Sequence, residues 1–305
     1  MRALGIAAAL LAVSALAGCS TGGGSDGGTP APTPAATSQA VGPSGTRLEL
    51  GLPFATEDGV TLRLDACLPS GSGTHPTLVM VPGGGFTERT RDFLQPECIQ
   101  GAQHGFATFV VDYRLATEGT KGSTVYPAQV HDVERAIRWI RSSTQSKRFG
   151  ADPANAVLLG ESAGAIIASE IAVGTKGVTL PKSTFRGVAL FSGVYDFGRP
   201  DLSPYLIGVA KDYLGCTPSP SCAATRTASA ADAVGKNDPP MLLVNSATEL
   251  VSVVQVQEFD RKLTAAGVQH QLIIAPGVYH ALDIARRSTS VNGALWKYLK
   301  ARTSG

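Results

Sequence analysis

Short apolar runs and longer amphipathic patterns alternate along the chain from residue 46 onward. Continuous apolar runs predict buried strands, because a strand covered on both faces has no polar side. These runs are residues 77–82, 106–112, 156–160, 187–192, 241–245 and 269–275. Apolar residues at helical spacing predict helices over residues 127–142, 163–172, 253–266 and 291–301. The alternation predicts an α/β fold in which a mostly parallel central sheet carries helices on both faces.

Two further patterns add to this picture. Residues 46–51 and 61–68 alternate apolar and polar positions, which predicts an antiparallel hairpin with one exposed face. Residues 197–237 are rich in Pro, Ser and Ala and have weak periodicity. We expect this segment to form a short cap or long loop over the sheet, of the kind that often lines a site.

Composition excludes two classes of protein. The 305 residues are 43% hydrophobic, so the chain can bury a core and is not disordered as a whole. Lys and Arg number 26 against 24 Asp and Glu, for a net charge of +2. Because no run rich in Lys or Arg occurs, we expect no nucleic-acid partner.

Residues 1–19 have the pattern of an export signal, with a charged start and a short apolar run. The run ends in Leu16-Ala17-Gly18-Cys19, which resembles the bacterial lipoprotein box. That resemblance implies lipid attachment at Cys19 and anchoring to the outside of the cell membrane. The alternatives are an ordinary secretory signal and a membrane-spanning helix, for which the run is too short. The composition of residues 20–45 predicts a disordered tether, followed by a domain over residues 46–305.

Export also decides how the cysteines are interpreted. Four of the five remain once Cys19 is assigned to lipid, and an even number outside the cytosol predicts two disulfides. Cys216 and Cys222 enclose a short stiff loop and are expected to pair, which leaves Cys67 with Cys98. The alternative is that the four are free buried thiols. No Cys/His group has zinc-ligand spacing, so no metal is expected.

Candidate chemistry begins at the end of the predicted strand 156–160. The sequence GESAG at residues 160–164 places Ser162 between that strand and a helix, the context expected of a nucleophile elbow. The tight turn needs small residues at Gly160 and Gly164, and it presents Ser162 at a helix N-terminus, where negative charge is favoured. A chance G-x-S-x-G in a glycine-rich chain is the alternative.

Several motifs around this elbow resemble those of the α/β-hydrolase superfamily, over residues 46–303. They are Pro82-Gly83-Gly84-Gly85-Phe86, Asp112-Tyr113-Arg114-Leu115, Tyr126-Pro127-Ala128-Gln129, Asp132, Trp139 and Phe149-Gly150-Ala151-Asp152-Pro153. The chain resembles in particular the secreted esterases and lipases related to hormone-sensitive lipase and to feruloyl esterases. The resemblance implies the α/β-hydrolase fold and a serine hydrolase.

The resemblance also implies roles for individual residues. The backbone N–H groups of Gly84, Gly85 and Ala163 are expected to form the oxyanion hole. The family usually has His before the glycines, whereas this chain has Pro82, so the loop must be braced differently. The base is expected after the last strand, in the order Ser, acid, His, which indicates His280.

The acid is expected after the penultimate strand, where the candidate is Glu249. Many relatives have Asp there, but Glu can also orient an imidazole and stabilise its charged form. Asp196, after the preceding strand, is the alternative acid. Glu161, beside the nucleophile, is interpreted as support for the elbow, and Asp112 with Arg114 as a structural ion pair or loop brace.

Together these residues predict a hydrolase of carboxylic esters that acts on a small-molecule ester without a metal or organic cofactor. Two alternatives stay open. One is an amidase or peptidase that uses the same residues, and the other is a surface-tethered binding protein that has this fold but no activity. The acyl and alcohol groups of the ester and the oligomeric state are not assigned by the sequence.

Overall fold

The computed structural model describes residues 38–119 and 122–304, which are organised around one sheet. Its strands are β1 (Ser38–Val41), β2 (Arg47–Glu57), β3 (Val60–Leu68), β4 (His75–Val81), β5 (Ala107–Val111), β6 (Ala151–Glu161), β7 (Gly187–Phe191), β8 (Met241–Ser246) and β9 (His270–Ala275). Within the described residues these nine strands are ordered β1-β2-β3-β5-β4-β6-β7-β8-β9.

The sheet is antiparallel at one side and parallel over the rest. The pairs β1–β2, β2–β3 and β3–β5 are antiparallel, and β2–β3 is the predicted hairpin. From β5 to β9 every neighbouring pair is parallel. The carboxyl ends of β4, β6, β7, β8 and β9 therefore meet at the same edge of the sheet, where α/β proteins place their ligand sites.

Helices cover both faces of this sheet. They are α1 (Gln95–Gln103), α2 (Ala128–Arg141), α3 (Ser143–Phe149), α4 (Ala163–Val173), α5 (Pro204–Leu214), α6 (Ala223–Thr227), α7 (Ala230–Ala233), α8 (Val253–Ala266), α9 (Asp283–Arg287) and α10 (Thr289–Thr303). Successive strand residues point to opposite faces, so Leu158 and Leu159 of β6 are both fully buried but belong to different apolar clusters. Leu158 shares its cluster with residues of α2, α4 and α8, and Leu159 with residues of α1 and α10. The predicted α/β arrangement is confirmed.

The segment predicted as a cap or long loop contains three helices, α5, α6 and α7. Helix α5 begins at Pro204, where the side chain of Ser203 accepts a hydrogen bond from the backbone of Leu206, and it ends at Gly215 with a φ of 74°. Tyr213 of this helix stacks on Phe86 at 4.0 Å between ring centroids. This stacking attaches the segment to the loop that follows β4.

Both predicted disulfides are present. Cys67 of β3 is bonded to Cys98 of α1, with 5.6 Å between the Cα atoms. Cys216 is bonded to Cys222 across the turn between α5 and α6, with 6.0 Å between the Cα atoms. The first bond joins the sheet to a helix, and the second is local.

Ordered structure begins before the predicted domain boundary at residue 46. Strand β1 pairs with β2, and a 3₁₀ turn at Pro43–Gly45 connects them. Residues 38–45 have few apolar positions, so their pattern does not predict a strand. The predicted signal at 1–19, the lipid site Cys19 and most of the predicted tether lie outside the described residues. Among the described helices, none has the length and apolarity needed to cross a bilayer.

Candidate active site

Ser162 occupies the turn between β6 and α4 in a backbone conformation that few residues other than glycine adopt. Its φ is 51° and its ψ is −120°. The flanking glycines make so tight a turn possible. A Cβ atom on Gly160 would lie 2.3 Å from the carbonyl oxygen of Gly164, and one on Gly164 would lie 2.0 Å from that of Val81. The turn therefore has the geometry expected of the elbow.

His280 lies in the loop after β9, and its imidazole contacts Ser162. Its Nε2 atom lies 2.8 Å from Ser162 Oγ, and its Nδ1 atom is hydrogen-bonded to Oε2 of Glu249. With the ring proton on Nδ1, the imidazole donates to the carboxylate and accepts from the hydroxyl. We call these three side chains the triad.

The acid of the triad, Glu249, is held at both of its oxygens. Its side chain is fully buried, and it lies in the loop after β8. While Oε2 contacts the imidazole, Oε1 accepts hydrogen bonds from the backbone N–H of Ser246 at 2.9 Å and from the hydroxyl of Ser192 at 2.8 Å. These hydrogen bonds fix the orientation of the Glu249 carboxylate.

Ser192 is a residue of this site that the sequence did not indicate. It directly follows β7, is 1% exposed and has a φ of 56°. Its hydroxyl donates to Glu249 and accepts from the backbone N–H of Ala281 at 2.9 Å. One hydroxyl thus holds both the acid and the backbone beside His280. No local sequence signal marks it, because the two partners are 57 and 89 residues away.

Asp196, the alternative acid, is not part of this arrangement. Its Oδ1 atom accepts a hydrogen bond from the backbone N–H of Gly198 at 2.8 Å, as a turn residue does. Its own N–H donates to the side-chain oxygen of Gln255 at 3.0 Å. The structure brings Glu249 to the imidazole and leaves Asp196 in a turn.

The glycine loop after β4 lies against the elbow. A Cβ atom on Gly83 would lie 3.0 Å from Cβ of Ser162. Gly84 and Gly85 have φ values of 97° and 57°, which favour glycine. Among the residues that the structure describes, the backbone N–H groups of Gly84, Gly85 and Ala163 have no acceptor. Free N–H groups beside the hydroxyl are what an oxyanion hole requires.

Two side chains brace this loop in the absence of a His before the glycines. Glu161 accepts a hydrogen bond from the backbone N–H of Gly83 at 2.7 Å. The hydroxyl of Tyr113 donates toward the carbonyl oxygens of Pro82 and Gly83, at 3.0 and 2.7 Å. Burial raises the pKa of Glu161, and the Gly83 N–H and the nearby His280 oppose that shift. Glu161 therefore connects the elbow to the glycine loop.

Asp112 and Arg114 do not pair with each other, so the ion pair is wrong, whereas a bracing role agrees with their contacts. Arg114 binds Asp132 with 2.8 Å between Nε and Oδ2. Asp112 pairs with Arg91, and with Arg89 at 3.3 Å. Both residues are buried, at 3% and 6% exposure, and each takes its own partner because a buried charge needs one close by. They brace separate segments.

The other histidines form hydrogen bonds to other residues or lie apart from the triad. His270 contacts Asp260 at 3.0 Å, and His131 contacts the carbonyl oxygen of Gly177 at 3.0 Å. Within residues 38–119 and 122–304, no three or more His, Cys, Asp or Glu side chains come together in a way that could hold a metal ion.

The amino-acid sequence matches that of a known family. The model of the BD-FAE family matches residues 64–263. The esterase LipI of Mycobacterium tuberculosis is 33% identical over 129 residues, which are 42% of this chain and 38% of LipI. The esterase LipQ of the same organism is 26% identical over 242 residues, which are 73% of this chain and 55% of LipQ. The chain thus spans about half of these curated relatives or less.

Solved structures share the fold. The acetyl ester-xyloside bifunctional hydrolase from Caldicellulosiruptor lactoaceticus has a TM-score of 0.67 and 24% identity, over 82% of this chain and 95% of that chain. Esterase B from Lactobacillus rhamnosis has a TM-score of 0.71 and 21% identity, over 86% of this chain and 87% of that chain. At these identities the likeness concerns the fold alone, and the predicted α/β-hydrolase fold is confirmed.

Proposed function

The chain belongs to the BD-FAE family, and from that membership and the geometry of the triad we propose that it is a serine hydrolase of carboxylic esters. Ser162 is the proposed nucleophile, His280 the base, and Glu249 the acid that orients the base. The observation that carries the proposal is the unbroken series of hydrogen bonds from Glu249 through His280 to Ser162. The esterase names of LipI and LipQ support an ester as the substrate.

The first half-reaction transfers the acyl group to Ser162. Its Oγ atom bonds to the carbonyl carbon of the ester, and His280 Nε2 takes the hydroxyl proton. Glu249 stabilises the imidazolium that forms. The bond from the carbonyl carbon to the alcohol oxygen then breaks, and the alcohol leaves with the proton from His280.

The second half-reaction returns the enzyme to its starting state. Water attacks the carbonyl carbon of the acyl-enzyme while His280 takes a proton from it. The bond from that carbon to Ser162 Oγ breaks, and Oγ regains a proton from His280. The carboxylic acid formed from the acyl group is released. In both halves the carbonyl oxygen gains negative charge, for which Gly84, Gly85 and Ala163 are the proposed donors.

Active-site labelling and ester turnover test this proposal. The wild type should react with a fluorophosphonate at Ser162 and hydrolyse p-nitrophenyl acetate, because both reactions need the same activated hydroxyl. Ser162→Ala should fold normally, fail to label, and lose roughly 10⁴-fold or more in kcat. Near wild-type turnover by this variant would refute the assignment of the nucleophile.

The same assays separate the two alternatives. Turnover of a matched p-nitroanilide as fast as that of the ester would favour an amidase or peptidase. A folded wild type that neither labels nor turns over any ester would favour a binding protein.

We also propose that the protein is exported and anchored to the membrane by lipid at Cys19. Support comes from the sequence LAGC at residues 16–19 and from two disulfides in the described residues, which persist outside the cytosol. Cys19→Ser should move the protein from the membrane fraction to the soluble fraction and leave turnover per active site unchanged. Persistent membrane association of this variant would contradict the proposal.

A further inference from the structure

A small apolar cavity opens beside the Ser162 hydroxyl. Its volume is about 40 Å³, on a scale where one water molecule takes ~10–15 Å³. Ile166, Val194, Leu206 and Phe197 are among the side chains that line it, and none of its described walls is charged. The cavity therefore has room for about three water-sized groups and suits a short apolar group.

The position of the cavity relative to the triad decides which part of an ester it receives. Gly85 and Ala163, two of the proposed oxyanion donors, line it together with Ser162, whereas His280 does not. In the proposed reaction the acyl group stays bonded to Ser162, and His280 protonates the departing alcohol. The cavity therefore lies on the acyl side, and the alcohol leaves on the side of the imidazole, whose side chain is 28% exposed.

Phe197 also lines a second and larger cavity. Its volume is about 460 Å³, and Pro200, Leu202 and Ile207 are among its walls. Phe197 is the residue that the two cavities share. The ring is 2% exposed and lies 6.0 Å from that of Tyr213 between centroids. The ring is therefore held in place by packing, at the residue that both cavities share.

We propose that Phe197 closes the acyl cavity and restricts the enzyme to esters of short acids, from acetyl to about butyryl. This inference rests on the proposed ester hydrolysis. A butyryl chain has three carbons beyond its carbonyl, which matches a space for about three water-sized groups. An octanoyl chain or an arylpropenoyl group needs more volume than this cavity offers.

The test compares acyl-chain preference in variants whose active sites have been counted with a fluorophosphonate. The substrates are p-nitrophenyl acetate, butyrate and octanoate, measured as kcat/KM. Phe197→Ala removes the ring that is proposed to close the acyl cavity. Phe106→Ala is the matched control, because it removes another buried ring, 1% exposed, from the opposite face of the sheet. Ala210→Leu instead adds bulk to the wall of the small cavity.

We expect the wild type to favour butyrate over octanoate at least about tenfold. Phe197→Ala should raise the octanoate-to-butyrate ratio at least about tenfold, and Phe106→Ala should leave that ratio unchanged. Ala210→Leu should lower the butyrate-to-acetate ratio at least about fivefold, which tests the cavity even if Phe197→Ala does not fold.

Three outcomes would overturn the inference. They are a wild type that hydrolyses octanoate as well as butyrate, a folded Phe197→Ala variant with the wild-type ratio, and an Ala210→Leu variant with unchanged ratios. Failure of the proposed function looks different, because a folded wild type would then neither label nor hydrolyse even the acetate.

Discussion

The hydroxyl of Ser192 donates a 2.8 Å hydrogen bond to Glu249, and this contact joins the end of β7 to the loop that follows β8. The same oxygen accepts the backbone N–H of Ala281, next to His280. Two members of the triad are thus positioned by one buried hydroxyl from a third segment. In the proposed mechanism Ser192 is therefore a positioning residue, which holds Glu249 and the backbone beside His280.

Ser192→Ala should lower kcat about 10- to 100-fold with little change in KM, because the acid and the base lose their common support. Steady-state kinetics measures kcat and KM separately, and a loss confined to kcat would show that the variant still binds the ester.

The control for this prediction is Ser246→Ala, which makes the same chemical change beside the same carboxylate. Ser246 is fully buried, and its hydroxyl has no hydrogen-bond partner among the described residues. The contact that it makes with Glu249 comes from its backbone N–H, which survives the substitution. We expect turnover within about twofold of the wild type. Equal losses in both variants would mean that packing, and not the Ser192 hydroxyl, matters.

Glu249→Gln should lower kcat roughly 10³- to 10⁴-fold, because the imidazole loses the charge that holds its reactive tautomer. Asp196→Asn should stay within a few-fold of the wild type, since Asp196 serves a turn. Parallel kcat measurements on the two variants decide between the acids. If Asp196→Asn is the variant that loses most of its kcat, the assignment of Glu249 is wrong.

Glu161→Ala should lower kcat about tenfold, because the Gly83 N–H loses its acceptor and the glycine loop loses a brace. Glu161→Gln should recover most of that rate, since its amide oxygen can accept the same hydrogen bond. Ester turnover and the rate of fluorophosphonate inactivation should respond together. A Gln variant as slow as the Ala variant would show that the charge of Glu161 is what matters.

The pH dependence of stability should report on Glu170 of α4. Burial raises the pKa of Glu170 well above its ordinary value, although Tyr213 donates to its carboxyl group at 2.6 Å. The folded state therefore keeps a proton that the unfolded state releases at lower pH. The free energy of unfolding should thus fall as pH rises from the ordinary Glu range toward the raised pKa.

Glu170→Gln removes this titration while keeping a similar shape. In urea unfolding across a pH series, the difference in stability between the variant and the wild type should grow in favour of the variant as pH rises. Other buried acids titrate equally in both proteins, so they cancel from the difference. A difference that is constant with pH would contradict the raised pKa of Glu170.

The strands and the elbow were predictable because their signals are local. Strands β4 and β5 are buried along most or all of their length, so their sequences are continuous apolar runs. Gly160 and Gly164 are required by contacts within one turn and with the strand beside it. A pattern read along the chain detects both.

Helix α1 was not predicted, because its buried face has only small apolar residues and includes a charged one. It buries Glu97, Cys98, Gly101 and Ala102. The charge of Glu97 is balanced by Arg286, at 2.7 Å and 189 residues away. The role of Ser192 was not predicted either. Glu97 and Ser192 both depend on partners that are distant in sequence and that only the folded chain brings close.

The Cys67–Cys98 bond would have a mechanical consequence for a protein held by the proposed lipid anchor at Cys19. A pull on that end loads the hydrogen bonds of the edge strand β1 first, and then those of β2 with β3. At Cys67 the tension passes into a covalent bond to α1, which hydrogen-bond rupture alone does not release. Strands β7, β8 and β9 lie at the far end of the same sheet. Under the proposed anchoring, load should therefore open the β1–β2 edge of the sheet before it reaches the strands that precede Glu249 and His280.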